Sequence, residues 1–334
     1  MSRCTQQVKL SVLDLAPITA GSDARQSLLN SADLARHVEG WGYHRFWMAE
    51  HHNMTGIASA ATAVALAFIG SQTQHIRIGA GGIMLPNHAP LVAAEQFGTL
   101  AALYPNRVDL GLGRAPGTDG ATLRALRRTY DSADGFPADV QELLMYLDEP
   151  KPEQKIKAVP GMGSQVPVWI LGSSLFGAQL AARLGLPYAF ASHFAPDYLQ
   201  LALEAYRNNF QPSKYLDEPY AMAAVNVFAA DTEQAAKHLK SSMQQQFIAL
   251  RQGNPGPLPA PLENIEQQVD PMALAAANHA LKYTASGTAE QVHQYLRDFV
   301  AATGVNEVML TCHAYDHQAR LRSFELAQGV QFES

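Results

Sequence analysis

Short runs of consecutive apolar residues alternate along the chain with longer segments in which apolar positions recur at helical spacing. "VKLSVLDL" (8–15) reads as a strand, "ARQSLLNSADLARHVEGWG" (24–42) as a helix closed by Gly40 and Gly42, and "YHRFWMA" (43–49) as the next strand. The unit repeats through strands at 76–85, 107–114, 166–172, 188–194, 221–230 and 306–312, with helical segments between them. Each strand is apolar almost without interruption, as a strand buried on both faces should be. Strict strand–helix alternation predicts a parallel sheet, and eight such repeats in 334 residues predict a closed TIM (β/α)₈ barrel.

Two stretches break the rhythm. Residues 150–167, "PKPEQKIKAVPGMGSQVP", read as a loop. Residues 251–287 open with four prolines within seven residues and read as a long insertion before the last helix and strand, a lid or excursion. No linker divides the chain, so residues 1–334 read as one domain.

Composition narrows the partners. The net charge of -6 is spread without a basic stripe, which argues against nucleic acid and an anionic membrane and leaves a small molecule as the partner. Cys4 and Cys312 lie at opposite ends and form neither a disulfide framework nor a C-x-x-C pair. No membrane span and no signal peptide is legible, which fits the cytoplasm.

Barrel enzymes react at the carboxyl ends of their strands. There the sequence offers Glu50, His51 and His52; Asn87 and His88; Arg114; Ser173 and Ser174; Ser192 and His193; and His313. Adjacent strand residues face opposite ways, so His51 and His52 cannot share one ion without a sharp turn; no second ligand cluster exists, and no metal is expected. Ser173 and Ser174 open a helix, where free N–H groups suit an anion, and Arg114 supplies a cation. "GAGGIM" and "GLGRAPG" do not match the dinucleotide fingerprint; they suit a backbone that approaches a flat ligand.

"WGYHRFWMAEHHN", "IRIGAGGIMLPNHAPLVAAEQFGTLAALYPNRVDLGLGRAPGTD", "PVWILGSS" and "DHQARLRSFELAQ" together resemble the bacterial luciferase-like flavin monooxygenases, on the single-subunit branch. The resemblance implies reduced FMN delivered by a separate NAD(P)H:flavin reductase, O₂ as co-substrate, a C4a-hydroperoxyflavin as the reactive species and oxygenation of a small, mostly apolar organic substrate. It places the FMN phosphate on Arg114, Ser173 and Ser174, the flavin ring over a cis peptide between Gly81 and Gly82, and the catalytic histidine at His51. His52, Asn87, His193 and His313 are then candidates for the substrate pocket. It also implies a homodimer, which agrees with the segment 58–72 being apolar on nearly every face. The chain departs from luciferase proper before Arg114, where Gly113 stands in place of a cysteine. A flavin-binding barrel without oxygenase turnover and a coenzyme F420-dependent oxidoreductase are the alternatives on this fold.

Overall fold

The computed structural model describes residues 8–115 and 119–332; Cys4 and the "PGT" of the strand-4 loop lie outside them. In chain order the elements are β1 (Lys9–Asp14), α1 (Ala24–Gly40), β2 (Arg45–Met48), α2 (Thr62–Ser71), β3 (Arg77–Met84), α3 (Pro90–Leu103), β4 (Val108–Gly113), α4 (Gly120–Ala125), α5 (Phe136–Leu147) and β5 (Val168–Gly172). The second half holds α6 (Leu175–Leu184), β6 (Tyr188–Phe190), α7 (Leu199–Asn208), β7 (Ala221–Ala229), α8 (Glu233–Arg251), α9 (Pro271–Ala280), β8 (Thr284–Gly287), α10 (Ala289–Thr303), β9 (Glu307–Thr311) and α11 (His317–Ala327).

Helix starts follow their caps. Asp23, Thr232 and Asp316 each accept from the backbone amide three residues on, and Thr288 and Gln291 close a reciprocal capping box. Gly185 and Gly304 end α6 and α10 in the left-handed region, at φ 61° for both.

All strand pairings are parallel. The order runs β6-β5-β4-β3-β2-β1-β9-β7, and β6 pairs with β7, which closes an eight-stranded barrel. The eight barrel strands are those expected from the apolar runs. The ninth, β8, was not expected: it pairs with the outer part of β7 in the register Asn226↔Thr284 to Ala229↔Gly287. Its sequence, Thr-Ala-Ser-Gly, has no apolar run to betray it.

Residues 251–287, read as a lid or excursion, form an excursion that packs on the barrel rim. Its proline-rich start is stitched to the rim: Leu258 N–H donates to the Ile18 carbonyl at 2.8 Å, and Ala20 N–H donates to the Leu258 carbonyl at 2.8 Å. Farther on, Ile265, Leu274 and Ala277 pack on Ile248 of α8 as a small separate core. None of its residues lines the cavity at the barrel mouth. The loop reading of 150–167 holds, since regular structure resumes only at Val168.

At the amino ends of the strands the barrel is plugged by charge. Arg45 donates to Asp109 and to Glu307, both at 2.8 Å, and lies 4.8 Å from the Trp169 ring centroid. Arg77 also pairs with Asp109, at 2.6 Å. Tyr220 and Ser11 donate to Glu307, and Trp47 Nε1 donates to Asp109 at 3.2 Å. Burial opposes ionisation of Asp109, yet the Arg45 and Arg77 guanidiniums outweigh it and hold the carboxyl below its ordinary range. Charges inside otherwise apolar strands, as in "YHRFWMA" and "NEVMLTC", were the sequence signal for this plug, and the site reading passed over them.

Candidate active site at the carboxyl ends of the strands

A cavity of about 280 Å³ opens at the carboxyl end of the barrel. Its floor is apolar, built by Leu13, Trp47, Met222, Ala224 and Met309 from inside the barrel. A larger cleft of about 1040 Å³ lies at the opposite end, over the charged plug, but its buried charges are satisfied by one another: Arg45 and Arg77 by Asp109. Paired charge at that end serves stability, while the mouth is where a parallel barrel presents loops to a ligand. The mouth is therefore the candidate site.

The residues expected there divide into two groups. His51, Gly81, Gly82, Arg114, Ser173, Ser174 and His193 line the cavity. His52, Asn87 and His313 are not among its lining residues. Each has a physical reason. His52 turns outward from the strand end and its Nε2 lies 2.6 Å from Glu50 Oε1. Asn87 is carried down into the core by the 3₁₀ turn Leu85–Asn87, its carbonyl accepting from Arg128. His313 Nδ1 is 3.0 Å from Gln246 Oε1 on α8.

Glu50 organises the β2–β3 corner. Its carboxylate is 1 % exposed and takes His52 Nε2, His88 Nε2 and the Met84 amide, the last two at 3.0 Å. Burial raises its pKa, but these hydrogen bonds, His88 first, bring it below the ordinary value, so Glu50 is ionised and both imidazole nitrogens donate to it. With His52 turned away, His51 is left facing the cavity. Its backbone amide bonds the Ser59 carbonyl at 3.3 Å, while its Nδ1 is buried without a partner among the described residues. Burial lowers its pKa, with the neighbouring Glu50 pulling the other way, so the imidazole is largely neutral at neutral pH.

On the far wall Arg114 follows β4. Its guanidinium lies 4.2 Å from the Phe176 ring centroid and has no carboxylate partner among the described residues. Opposite it α6 begins at Ser174, whose side chain makes no capping bond, so the first amides of the helix remain available. A free cation, two hydroxyls and an uncapped helix start form a donor set for a phosphate. Between this set and His51 the wall is backbone only: the peptide between Gly81 and Gly82 is cis, and neither residue carries a side chain over the cavity. A planar ring can lie there. The residues present thus fit a phosphate-bearing flavin. No group of three or more His, Cys, Asp or Glu among the described residues could hold a metal ion.

Phe176, Phe194 and Trp47 also shape the cavity, and the sequence reading did not name them. Their signal was available: each lies on, or within four residues of the end of, a predicted strand.

A parallel barrel with a ligand cleft at its carboxyl-end mouth belongs to the TIM-barrel enzymes. The family model described as luciferase-like monooxygenase matches residues 8–307, and the chain belongs to that family as an oxidoreductase of the monooxygenase class. It is 52% identical over 327 residues to the luciferase-like monooxygenase of Escherichia coli (strain K12), covering 98% of both chains. Among solved structures it resembles apo-MsnO8, at 33% identity with TM-score 0.85 over 97% of this chain and 98% of that one. It shares its fold with the oxygenating constituent of 3,6-diketocamphane monooxygenase from Pseudomonas putida in complex with FMN, at 18% identity and TM-score 0.71, over 97% and 98% of the two chains.

Proposed function

We propose that the protein is an FMN-dependent monooxygenase that oxygenates a small organic substrate, with reduced FMN supplied by a separate NAD(P)H:flavin reductase and O₂ as co-substrate. The observation that carries this reading is Arg114, without a carboxylate partner among the described residues, beside Ser173, Ser174 and the uncapped start of α6, with Gly81 and Gly82 in the wall of the same cavity. Arg114 and the two serines would hold the phosphate, and the glycine pair would support the ring. Bound flavin supplies the oxygen-transfer chemistry. The chain's own contribution is to bind, to exclude water with the apolar floor, and to manage protons at His51. The largely neutral imidazole can accept a proton at its free nitrogen and return it, which neither the serines nor Arg114 can do near neutral pH.

The same reading takes the chain as one domain acting in the cytoplasm. No helix among the described residues is long and apolar enough to cross a membrane. A homodimer is part of the proposal: Val64 and Phe68 of α2 and Val92 and Leu103 of α3 are exposed at 73%, 38%, 44% and 60%, an apolar face that a second copy would cover.

Titration of the protein with FMN, followed by NAD(P)H-driven oxygen consumption and product analysis in the presence of a flavin reductase, tests the reading. Stoichiometric binding and oxygen-dependent product support it. Binding without product would assign a flavin-binding protein, and binding of coenzyme F420 in place of FMN would assign an F420-dependent oxidoreductase.

A further inference from the structure

His193 is fastened unusually firmly for a residue in a loop. Ser192 Oγ donates to the Ala224 carbonyl at 2.6 Å, Asn226 Nδ2 donates to the His193 carbonyl at 2.7 Å, and the Phe194 ring stands edge-on to the imidazole at 4.7 Å between centroids. The backbone is thus held by two residues of β7 and the ring by its neighbour. Its Nδ1 is nevertheless buried with no partner among the described residues, as is that of His51 in the same cavity wall. An unsatisfied buried nitrogen disfavours the empty cavity, and a ligand group that bonds it removes the cost.

Charge in the wall is equally specific. Among the described lining residues Arg114 is the one side chain with a permanent charge. None of the described lining residues is acidic, and the carboxylate of Glu50, next to His51 in the chain, is already engaged by His52, His88 and the Met84 amide. Burial first, and then His313 and His51, push the His193 pKa down to about 3, so this imidazole adds no charge either.

We propose that His51 and His193 form the polar pole of a substrate subsite that takes an uncharged molecule, one compact hydrogen-bonding group such as a carbonyl or hydroxyl on an apolar body, with His193 as its specificity-determining residue. The apolar body lies against Met222, Ala224 and Met309. Substrates bearing a carboxylate, sulfonate or ammonium are rejected, because an ion entering this cleft loses water and gains no counter-charge once Arg114 holds a phosphate. The inference rests on the flavin reading for that last step alone.

The test is equilibrium binding to FMN-loaded protein of four probes of matched length: 2-octanone, octanoate, octane-1-sulfonate and octylamine. The expected result is that 2-octanone binds at least about tenfold more tightly than any charged probe. His193→Phe, which keeps apolar bulk and removes the nitrogens, should weaken 2-octanone about three- to tenfold, the range of one neutral hydrogen bond, and His193→Gln should restore part of the loss. Equal binding of a charged probe, unchanged 2-octanone affinity in His193→Phe, or no binding of 2-octanone would each overturn the proposal. FMN titration of the same samples separates the two claims. If FMN fails to bind, the functional reading falls, and the probe ranking repeated in FMN-free protein with saturating inorganic phosphate still decides the subsite.

Discussion

The side chains of Glu50 and His52, two residues apart in the chain, meet at 2.6 Å, and that contact turns His52 away from the cavity that His51 faces. Glu50 also receives His88 and the Met84 amide, so one carboxylate ties the ends of β2 and β3 together. Glu50→Ala leaves these donors unsatisfied in a buried setting and should lower the unfolding free energy by about 1–3 kcal/mol, read from urea denaturation. Glu50→Gln, which can still accept from Met84, should fall between the two. A loss below about 0.5 kcal/mol would mean the corner does not depend on this carboxylate.

His51→Ala should keep FMN affinity to within a few-fold and lose product formation by about 10² to 10⁴, the range for a missing general acid/base. His52→Ala removes a side chain that does not line the cavity and should cost far less activity. Turnover assays on both variants check the assignment; the opposite ranking would move the role to His52.

Arg114→Ala should leave the fold intact, since the side chain is exposed and pairs with no buried acid among the described residues. Its FMN affinity should drop at least about tenfold, because a charge-assisted bond to phosphate is worth roughly 1.5–3 kcal/mol. Fluorescence titration with FMN measures this, and an unchanged dissociation constant in folded protein would remove Arg114 from the site.

Gly82 has no room for a side chain: a Cβ there would stand 2.6 Å from the Gly111 carbonyl oxygen and 2.9 Å from its carbon, both backbone of β4. Gly82→Ala should destabilise by about 1–3 kcal/mol and weaken FMN binding. Gly113→Ala is the control, since its Cβ would meet the flexible Met84 sulfur at 3.1 Å. Equal urea midpoints for the two variants would refute the difference.

Stability should fall on mild acidification. Burial first, and then neighbouring cations or histidines, lower the pKa of His193 to about 3 and those of His44 and His313 to about 4, from an ordinary 6.5. Below about pH 6.5 the unfolded chain binds protons that the folded chain refuses, so this contribution is complete above that pH and is lost progressively toward pH 4, by up to about 1.4 kcal/mol per pH unit for each histidine. Asp14, Glu50 and Asp109 are held below the ordinary carboxylate range despite burial, and they add a second loss below about pH 4 with the same sign. Urea midpoints across this range check the slope, and His313→Gln should flatten it. A midpoint independent of pH above about 4 would contradict neutral buried histidines.

The sequence by itself determined the barrel. Eight apolar runs at regular intervals leave few alternatives to a closed parallel sheet, because strands buried on both faces carry their burial in composition and need no partner to reveal it. Strand alternation suggested opposite facings for His51 and His52, but both lie past the end of β2, and it is the contact of His52 with Glu50 that directs the second imidazole. Tertiary structure decided what lies at a distance in the chain. Arg45 meets Asp109 and Glu307 across separations of 64 and 262 residues, and no local pattern encodes which charge answers which. Gln246 claims His313, Glu50 claims His88, and β8 exists only because β7 offers an edge. The proline-rich stretch shows the same division: its sequence marks irregular backbone, but only the hydrogen bonds of Leu258 to Ile18 and Ala20 decide that it is fixed to the rim and does not line the cavity.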